Sequence, residues 1–295
     1  MSSSQRVAFT KGHGTENDFV LLPDPTGALH LTDAAVRWLC DRRAGIGADG
    51  VIRVVPTASA TEPQVASQAG DTRWFMDYRN ADGSRAEMCG NGTRVFAAYL
   101  HRQGWEEGPE FAIATRAGVK QLRRRGEQFA VNLGRWRLAG DDAPASDHPQ
   151  TTVTLPLREP VPAPAVCLDL GNPHTVVLLP AEVDLGALDL TRPPEVRPIP
   201  PAGTNVEFVQ EVADRHVRMR VHERGVGETR SCGTGAAAAA LAYLRAAGGA
   251  AQLTGQVCRV DVPGGSLTVR CLDHDEVELA GPAVLVADGQ LDLPQ

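Results

Sequence analysis

The chain has 295 residues, 42% of them hydrophobic and 22% charged, with a net charge of −7 and its basic residues scattered. That composition suits globular domains, with length for one large or two ordinary ones, and argues against a nucleic-acid surface, which needs clustered Lys and Arg. No apolar run approaches the roughly 20 residues that cross a bilayer, and the start MSSSQRVAFTKGHG lacks the features of a secretory signal, so a soluble cytoplasmic protein is expected.

RVAFTKGHG and NDFVLLPD bracket a turn and read as the strands of an opening hairpin. Thr32 is the expected N-cap of a helix over DAAVRWLCDRR, and GVIRVVP follows as a strand. Residues 57–72 are small, polar and without periodicity, which predicts a mobile surface loop. RWFMDYRN alternates as a strand, EFAIATRAGVKQLRRRGEQFAVNLG reads as a meander, and Arg123, Arg124 and Arg125 read as a solvated turn. LGRWRLAGDDAPASDHPQTT is the expected crossing between halves, and the Pro-rich stretches 156–164 and 193–201 read as rigid connectors. The second half repeats the scheme with AVCLDLGNPHTVVLL, GTNVEFVQEV, HVRMRVHERG and closing strands.

One element occurs twice: RAEMCGNGTRVFAAYL at 85–100 and TRSCGTGAAAAALAYL at 229–244. Aligning Cys89 on Cys232 also pairs Met76 with Met219 and Asn80 with Glu223, each pair in or ending an alternating strand. The halves therefore read as duplicates, and duplicates facing each other would bring two cysteines to one interface. A helix N-terminus presents unpaired N–H groups and a partial positive charge, which bind anions and favour a thiolate. Gly90, Gly92, Gly233 and Gly235 are expected to adopt positive φ and admit a ligand to the main chain.

None of the six cysteines forms a C-x-x-C pair or a finger-like spacing with histidines, so free thiols and no metal are expected. Two thiols across one bound carboxylate suit inversion at the α-carbon: one thiolate removes the proton and the other thiol returns one to the opposite face. Reaching the same carbon from about 3–3.5 Å places the sulfurs about 6–7 Å apart. Of the two lysines, neither Lys11 nor Lys120 sits in a setting for a Schiff base, so the expected mechanism needs no cofactor. Gly45, Gly47 and Gly50 spell G-x-G-x-x-G, but the motif follows a helix and precedes a strand, the reverse of a dinucleotide site.

The chain resembles the diaminopimelate epimerases along nearly its whole length. The resemblance rests on NDF (17–19), GIGADG (45–50), YRNADGS (78–84), MCGNGTR (88–94), GNPH (171–174), TNVEF (204–208), ERGVGET (223–229) and SCGTGA (231–236). It implies an α+β fold of two similar domains, each a curled, mostly antiparallel sheet around a central helix, with the site in the cleft between them. The implied domains are 1–132 with 281–295, and 133–280. It implies a cofactor-independent epimerase interconverting LL- and meso-2,6-diaminopimelate, with a small-molecule substrate, no nucleic-acid or membrane partner, and a homodimer left open. Cys89 and Cys232 match the catalytic pair, with Cys232 expected as base and Cys89 as acid from LL to meso. Gly90, Asn91, Gly233 and Thr234 match carboxylate nests. Asn17, Asn80, Asn172, Asn205, Glu223 and Arg224 match substrate-holding residues, and His174 and Glu223 match residues that tune the thiols. Glu16 departs from the family, which commonly has glycine there, and Gly50 stands where some members have a polar contact. The alternatives are a proline-racemase-type isomerase, which carries histidine where Asn91 stands, and a non-catalytic binding protein on the same scaffold.

Overall fold

The computed structural model describes residues 5–139, 151–248 and 253–294. Most of the expected crossing between halves, 140–150, lies outside the described residues. The chain divides into two compact units, Met1–Val131 with Gly281–Gln295, and Asn132–Ala280.

The first unit runs through β1 (Gln5–Gly14), β2 (Asn17–Pro23), α1 (Asp33–Cys40), β3 (Gly50–Pro56), α2 (Pro63–Ala66), β4 (Trp74–Asn80), α3 (Gly90–Arg102), β5 (Glu110–Ile113) and β6 (Lys120–Arg125). The chain passes into the second unit within β7 (Gln128–Arg135). There follow β8 (Arg137–Leu138), β9 (Thr152–Leu155), β10 (Val161–Pro164), β11 (Val166–Asp169), β12 (Pro173–Leu178), β13 (Val196–Arg197), β14 (Asn205–Ala213) and β15 (His216–Glu223). Next come β16 (Gly227–Thr229), α4 (Gly233–Gly248), β17 (Val257–Val262), β18 (Gly265–Cys271) and β19 (Glu276–Gly281), before β20 (Val284–Leu293) returns to the first unit.

In the first unit the strand order is β20-β1-β2-β3-β4, antiparallel except for β2 with β3, and β5-β6-β7 forms an antiparallel meander. In the second, β19-β18-β17-β15-β14-β12-β11-β8 is parallel at β17/β15 and β14/β12, and β10-β9-β13 forms a small sheet of its own. Mixed sheets with few helices make the fold α+β, the expected class. The sequence repeat extends to topology. The run β1-β2-β3-β4 is joined antiparallel, parallel, antiparallel, and β11-β12-β14-β15 is joined the same way. A cysteine and a long helix follow each run.

That helix packs on its own unit's strands, α3 on β1, β2 and β20, α4 on β12, β14 and β17. Apart from Thr234, every α4 residue from Gly233 to Leu244 is buried. Alanine serves such a position well, since it is the best helix former and its short side chain lets strands approach on every side. α1 begins as expected, Thr32 Oγ1 accepting from the Ala35 N–H at 3.1 Å, but it ends three residues early. The Asp41 carboxylate accepts from the N–H groups of Arg43 and Ala44 and turns the chain out of the helix.

Three expectations need correction. Residues 57–72 are not an irregular loop: they carry the short helix α2, Val65 is fully buried with Val55, Phe75 and Ala114, Thr57 and Thr72 share a hydrogen bond, and Gln68 Nε2 donates to the Thr115 carbonyl. One buried valine among small polar residues leaves no periodic trace. The Pro-rich stretches contain β10 and β13, paired on either side of β9, where proline's missing N–H costs no inner ladder bond. Arg123, Arg124 and Arg125 end strand β6, and the turn falls after them.

Candidate active site

In the first unit Cys89 is the N-cap of α3, half-buried, with extended backbone (φ −140°, ψ 120°). Its sulfur lies 3.6 Å from Asn17 Oδ1, at the first residue of β2. Asn91 Nδ2 donates to the same oxygen at 3.3 Å, and Asn17 Nδ2 donates to Asp49 at 2.7 Å. Asn80, at the end of β4, turns its amide to Ser84 Oγ at 3.0 Å, so its side chain does not join this cluster. The Thr93 hydroxyl closes the first turn by donating to the Cys89 carbonyl at 2.8 Å.

In the second unit Cys232 is buried immediately before α4, its sulfur 3.7 Å from Thr234 Oγ1 and accepting from the Gly235 N–H at 3.4 Å. Burial, then the carboxylates of Glu223 and Glu207, push its thiol well above the ordinary range, against the pull of the Gly235 N–H and the Thr234 hydroxyl. Glu223 is itself held above the ordinary carboxylate range, first by burial, with the Glu207 charge adding to it and the Thr229 hydroxyl bond opposing. His174 is fully buried, Nδ1 against Glu207 Oε1 at 2.7 Å and Nε2 against Asn172 Oδ1 at 3.1 Å. The Asn172 amide reaches Thr234 Oγ1 at 3.4 Å, which ties this network to the helix start. Asn205 accepts from the Arg224 main-chain N–H at 2.9 Å and donates to the Pro173 carbonyl. Arg224 itself is exposed, with Nη1 on the Ala202 carbonyl at 2.6 Å.

The structure thus gathers Cys89, Gly90, Asn91 and Asn17 in one unit, and Cys232, Gly233, Thr234, Asn172, His174 and Glu223 in the other. Asn205 and Arg224 form a neighbouring pair.

The glycine expectation fails in its mechanism. Gly92 and Gly235 lie inside their helices without positive φ, and space is what they supply. A Cβ on Gly92 would come within 2.9 Å of Met76 Cε, and one on Gly235 within 2.8 Å of Glu207 Oε1. Positive φ is used one step earlier, at Glu16 and at Gly171, each just ahead of the asparagine that opens the site.

Sequence reasoning missed two residues. Glu207 lies inside TNVEF, two positions from Asn205 and so on the same strand face; it is fully buried, and among the described residues its Oε2 has no hydrogen-bond partner. Arg94 ends MCGNGTR and is fully buried beside the first cysteine's helix start. Period-two spacing was a signal for the first; a charged residue facing inward from a helix start was the signal for the second. Lys11 is held by Asp18 at 2.6 Å. Among the described residues no three His, Cys, Asp or Glu side chains gather as metal ligands would.

Solved structures define the class of fold. A phenazine biosynthesis protein of the PhzF family from Bacillus anthracis aligns with a TM-score of 0.66 at 15% identity, covering 97% of this chain and 99% of that one. A hydroxyproline epimerase from Agrobacterium vitis aligns at 0.64 and 15% identity, covering 100% and 95%. Within that class, sequence decides the family. The diaminopimelate epimerase family pattern matches residues 9–138 and 166–286, and the diaminopimelate epimerase of Streptomyces coelicolor is 50% identical over 294 residues, 98% of this chain and 96% of that protein. The chain belongs to the diaminopimelate epimerase family.

Proposed function

We propose that the protein is an isomerase that interconverts LL- and meso-2,6-diaminopimelate, a step of lysine biosynthesis, by two-base proton transfer without a cofactor. Besides family membership, the observation that carries this reading is the duplicated helix start, with one cysteine in each unit, Cys89 beside the amides of Asn17 and Asn91 and Cys232 beside Thr234 and the carboxylates of Glu223 and Glu207. One thiolate removes the α-proton while the other thiol delivers a proton to the opposite face, so the reverse reaction exchanges their roles. The main-chain N–H groups of Gly90 and Asn91, and of Gly233 and Thr234, hold the reacting carboxylate and stabilise charge that builds on it. Arg224 forks onto the distal carboxylate, Glu223 takes the distal ammonium, and Asn17, Asn80, Asn172 and Asn205 serve either group. His174 acts on Cys232 through Asn172 and the carboxylates around it. In this reading each unit is one half of an epimerase, and the protein works on a small molecule in the cytoplasm. No helix of the described residues is long and apolar enough to cross a membrane.

A proline-racemase-type reaction has less support, since Asn91 stands where those enzymes carry histidine, and the Glu223 and Arg224 pair would have no distal group to hold. The test is incubation with LL-diaminopimelate in D₂O. Deuterium entering the α-position as meso product forms is the expected result, and its absence would sink the proposal.

A further inference from the structure

Arg94 is the largest fully buried side chain among the described residues, and the proposed chemistry gives it no role. Nη2 donates to Asn91 Oδ1 at 2.8 Å and Thr15 Oγ1 at 3.2 Å, Nη1 to the Gly90 carbonyl at 3.3 Å, and Nε to the Pro282 carbonyl at 3.4 Å. Every one of these partners is neutral. Among the described residues no carboxylate pairs with it. Taking a guanidinium out of water without a counter-charge is costly, and the group stays protonated because arginine resists deprotonation. Burial brings it down to about 10, and the one charge that opposes this is the Cys89 sulfur. The corresponding residue five positions after Cys232 is Ala237, fully buried and neutral.

We propose that Arg94 is a positioning residue that supplies the counter-charge for a Cys89 thiolate, so that the free protein rests with Cys89 ionised and Cys232 protonated. This rests on the two-thiol reading above. Two features of the geometry carry it: a buried cation with only neutral hydrogen-bond partners, and its seat at the start of the Cys89 helix, where the main-chain N–H groups add to its field. Through Asn91 Oδ1 the same guanidinium orients the amide that faces Asn17, which fixes the polar wall beside the sulfur. The 3.6 Å contact from Cys89 to Asn17 Oδ1 favours the protonated thiol, but a thiol is a weak donor and the contact counts for little against a full charge. On the other side, Cys232 faces Glu207 and Glu223, which disfavour a second negative charge. Catalysis in which Cys232 is the base therefore begins with transfer of a proton from Cys232 to Cys89.

Most other charges on the elements packed against α3 have partners of their own. Lys11 on β1 is held by Asp18 on β2, which also binds Arg42. Arg53 on β3 is held by Asp77 on β4, where Arg79 and Arg116 also bind, and Asp288 on β20 is held by Arg102. Asp49, behind Asn17, pairs with Arg42. His13 accepts from the Glu16 N–H, and Glu16 is exposed in the turn.

The experiment follows alkylation of the full-length free protein by iodoacetamide across pH, with each cysteine read separately by peptide mass mapping. The midpoint of each curve is compared, which separates ionisation from access. In the wild type the Cys89 midpoint should lie at least about one pH unit below that of Cys232, a tenfold difference in thiolate fraction. Arg94→Met should move the Cys89 midpoint up by about one unit or more and leave that of Cys232 in place, while Arg94→Lys, which keeps the charge, should stay near wild type. A folded Arg94→Met with an unmoved Cys89 midpoint overturns the proposal, as does a wild-type Cys232 midpoint at or below that of Cys89. Should Arg94→Met not fold, the wild-type midpoints and Arg94→Lys decide it by themselves. Failure here with normal α-deuteration removes the role of Arg94 alone; failure of α-deuteration removes the reaction.

Discussion

The two units build the same backbone around their cysteines and fill it with opposite charge. Matching the strand registers of the two units makes Phe19 the counterpart of His174, Gly50 of Asn205, Ile52 of Glu207 and Asn80 of Glu223. Around Gly92 the neighbours are therefore Met76, Ile52 and Phe19, whereas around Gly235 they are Glu207 and Cys232 itself. Arg94 stands where the second unit has Ala237. One half-site has an apolar floor and a buried cation; the other has one fully buried carboxylate, Glu207, one half-buried carboxylate, Glu223, and a buried histidine. Two-base inversion needs one sulfur charged and the other protonated at any instant, so two identical half-sites would leave the protonation state to chance. In the proposed reaction a duplicated scaffold keeps the helix N-termini, which both halves need, while the differing side chains would set each thiol.

The largest expected effect tests what the units share. Cys89→Ala and Cys232→Ala each remove the proton carrier on one face, so each should cost about 10³-fold or more in kcat, since a general acid or base contributes 10²–10⁴-fold. A variant keeping over about a tenth of activity would show that one unit suffices. Arg224→Met tests a feature of the second unit alone. Losing one partner of a charge-assisted pair costs roughly 2–5 kcal/mol, or about 30- to 4,000-fold in kcat/KM at 1.4 kcal/mol per decade. Because Arg224 is exposed here, the variant should fold and unfold like wild type, and turnover of lysine, which lacks the distal carboxylate, should be as poor as for wild type. Near-normal kcat/KM in Arg224→Met would mean that another group holds the distal end.

The opposite charges of the half-sites were only partly legible in the sequence. The repeated Cys-Gly-x-Gly turn and the hairpin at the start could be read because they depend on local patterns, glycine spacing, period-two alternation and small residues along α4, whereas the α+β class came with the family resemblance. Glu207 and Arg94 were in plain view inside quoted motifs, yet their burial depends on which strands pack over them, and a one-dimensional pattern does not carry that. Residues 57–72 failed for a related reason, since Thr57, Gln68 and Thr72 are ordered by hydrogen bonds to one another and to Thr115, which polar composition reads as solvation.

A smaller shift tests the anionic side. The Glu207 carboxylate raises the Cys232 thiol, so Glu207→Gln removes a term that favours the protonated form, and the alkylation midpoint of Cys232 should move toward acid. About half a unit to one unit is expected, three- to tenfold in thiolate at a fixed pH below the midpoint. The Cys89 midpoint belongs to the other half-site and should not follow. A Cys232 midpoint that stays put, or moves toward alkali, would show that the His174 and Glu207 pair acts as a neutral unit.

The smallest effect concerns the residue before each opening asparagine. In the first unit Thr15 and Glu16 form the two-residue turn between β1 and β2, with Gly14 paired to Asn17 and φ values of 50° and 64°. Such a turn needs left-handed backbone at both central positions, which the Cβ of Glu16 resists. The second unit solves the same problem with Gly171, φ 87°, just before Asn172. Glu16→Gly should therefore relieve strain and raise unfolding stability, by up to about 1 kcal/mol, less whatever a more flexible unfolded chain takes back. Gly171→Glu should lower stability by a similar amount, and through backbone strain alone, since no atom lies within 4 Å of the added Cβ. Paired urea denaturations at constant m-value read both changes. The two substitutions should shift the midpoint in opposite directions while leaving the Cys89 alkylation curve near wild type after Glu16→Gly. A destabilised Glu16→Gly would mean that the glutamate side chain stabilises the turn by more than its backbone costs, and that the halves differ here for a reason other than drift.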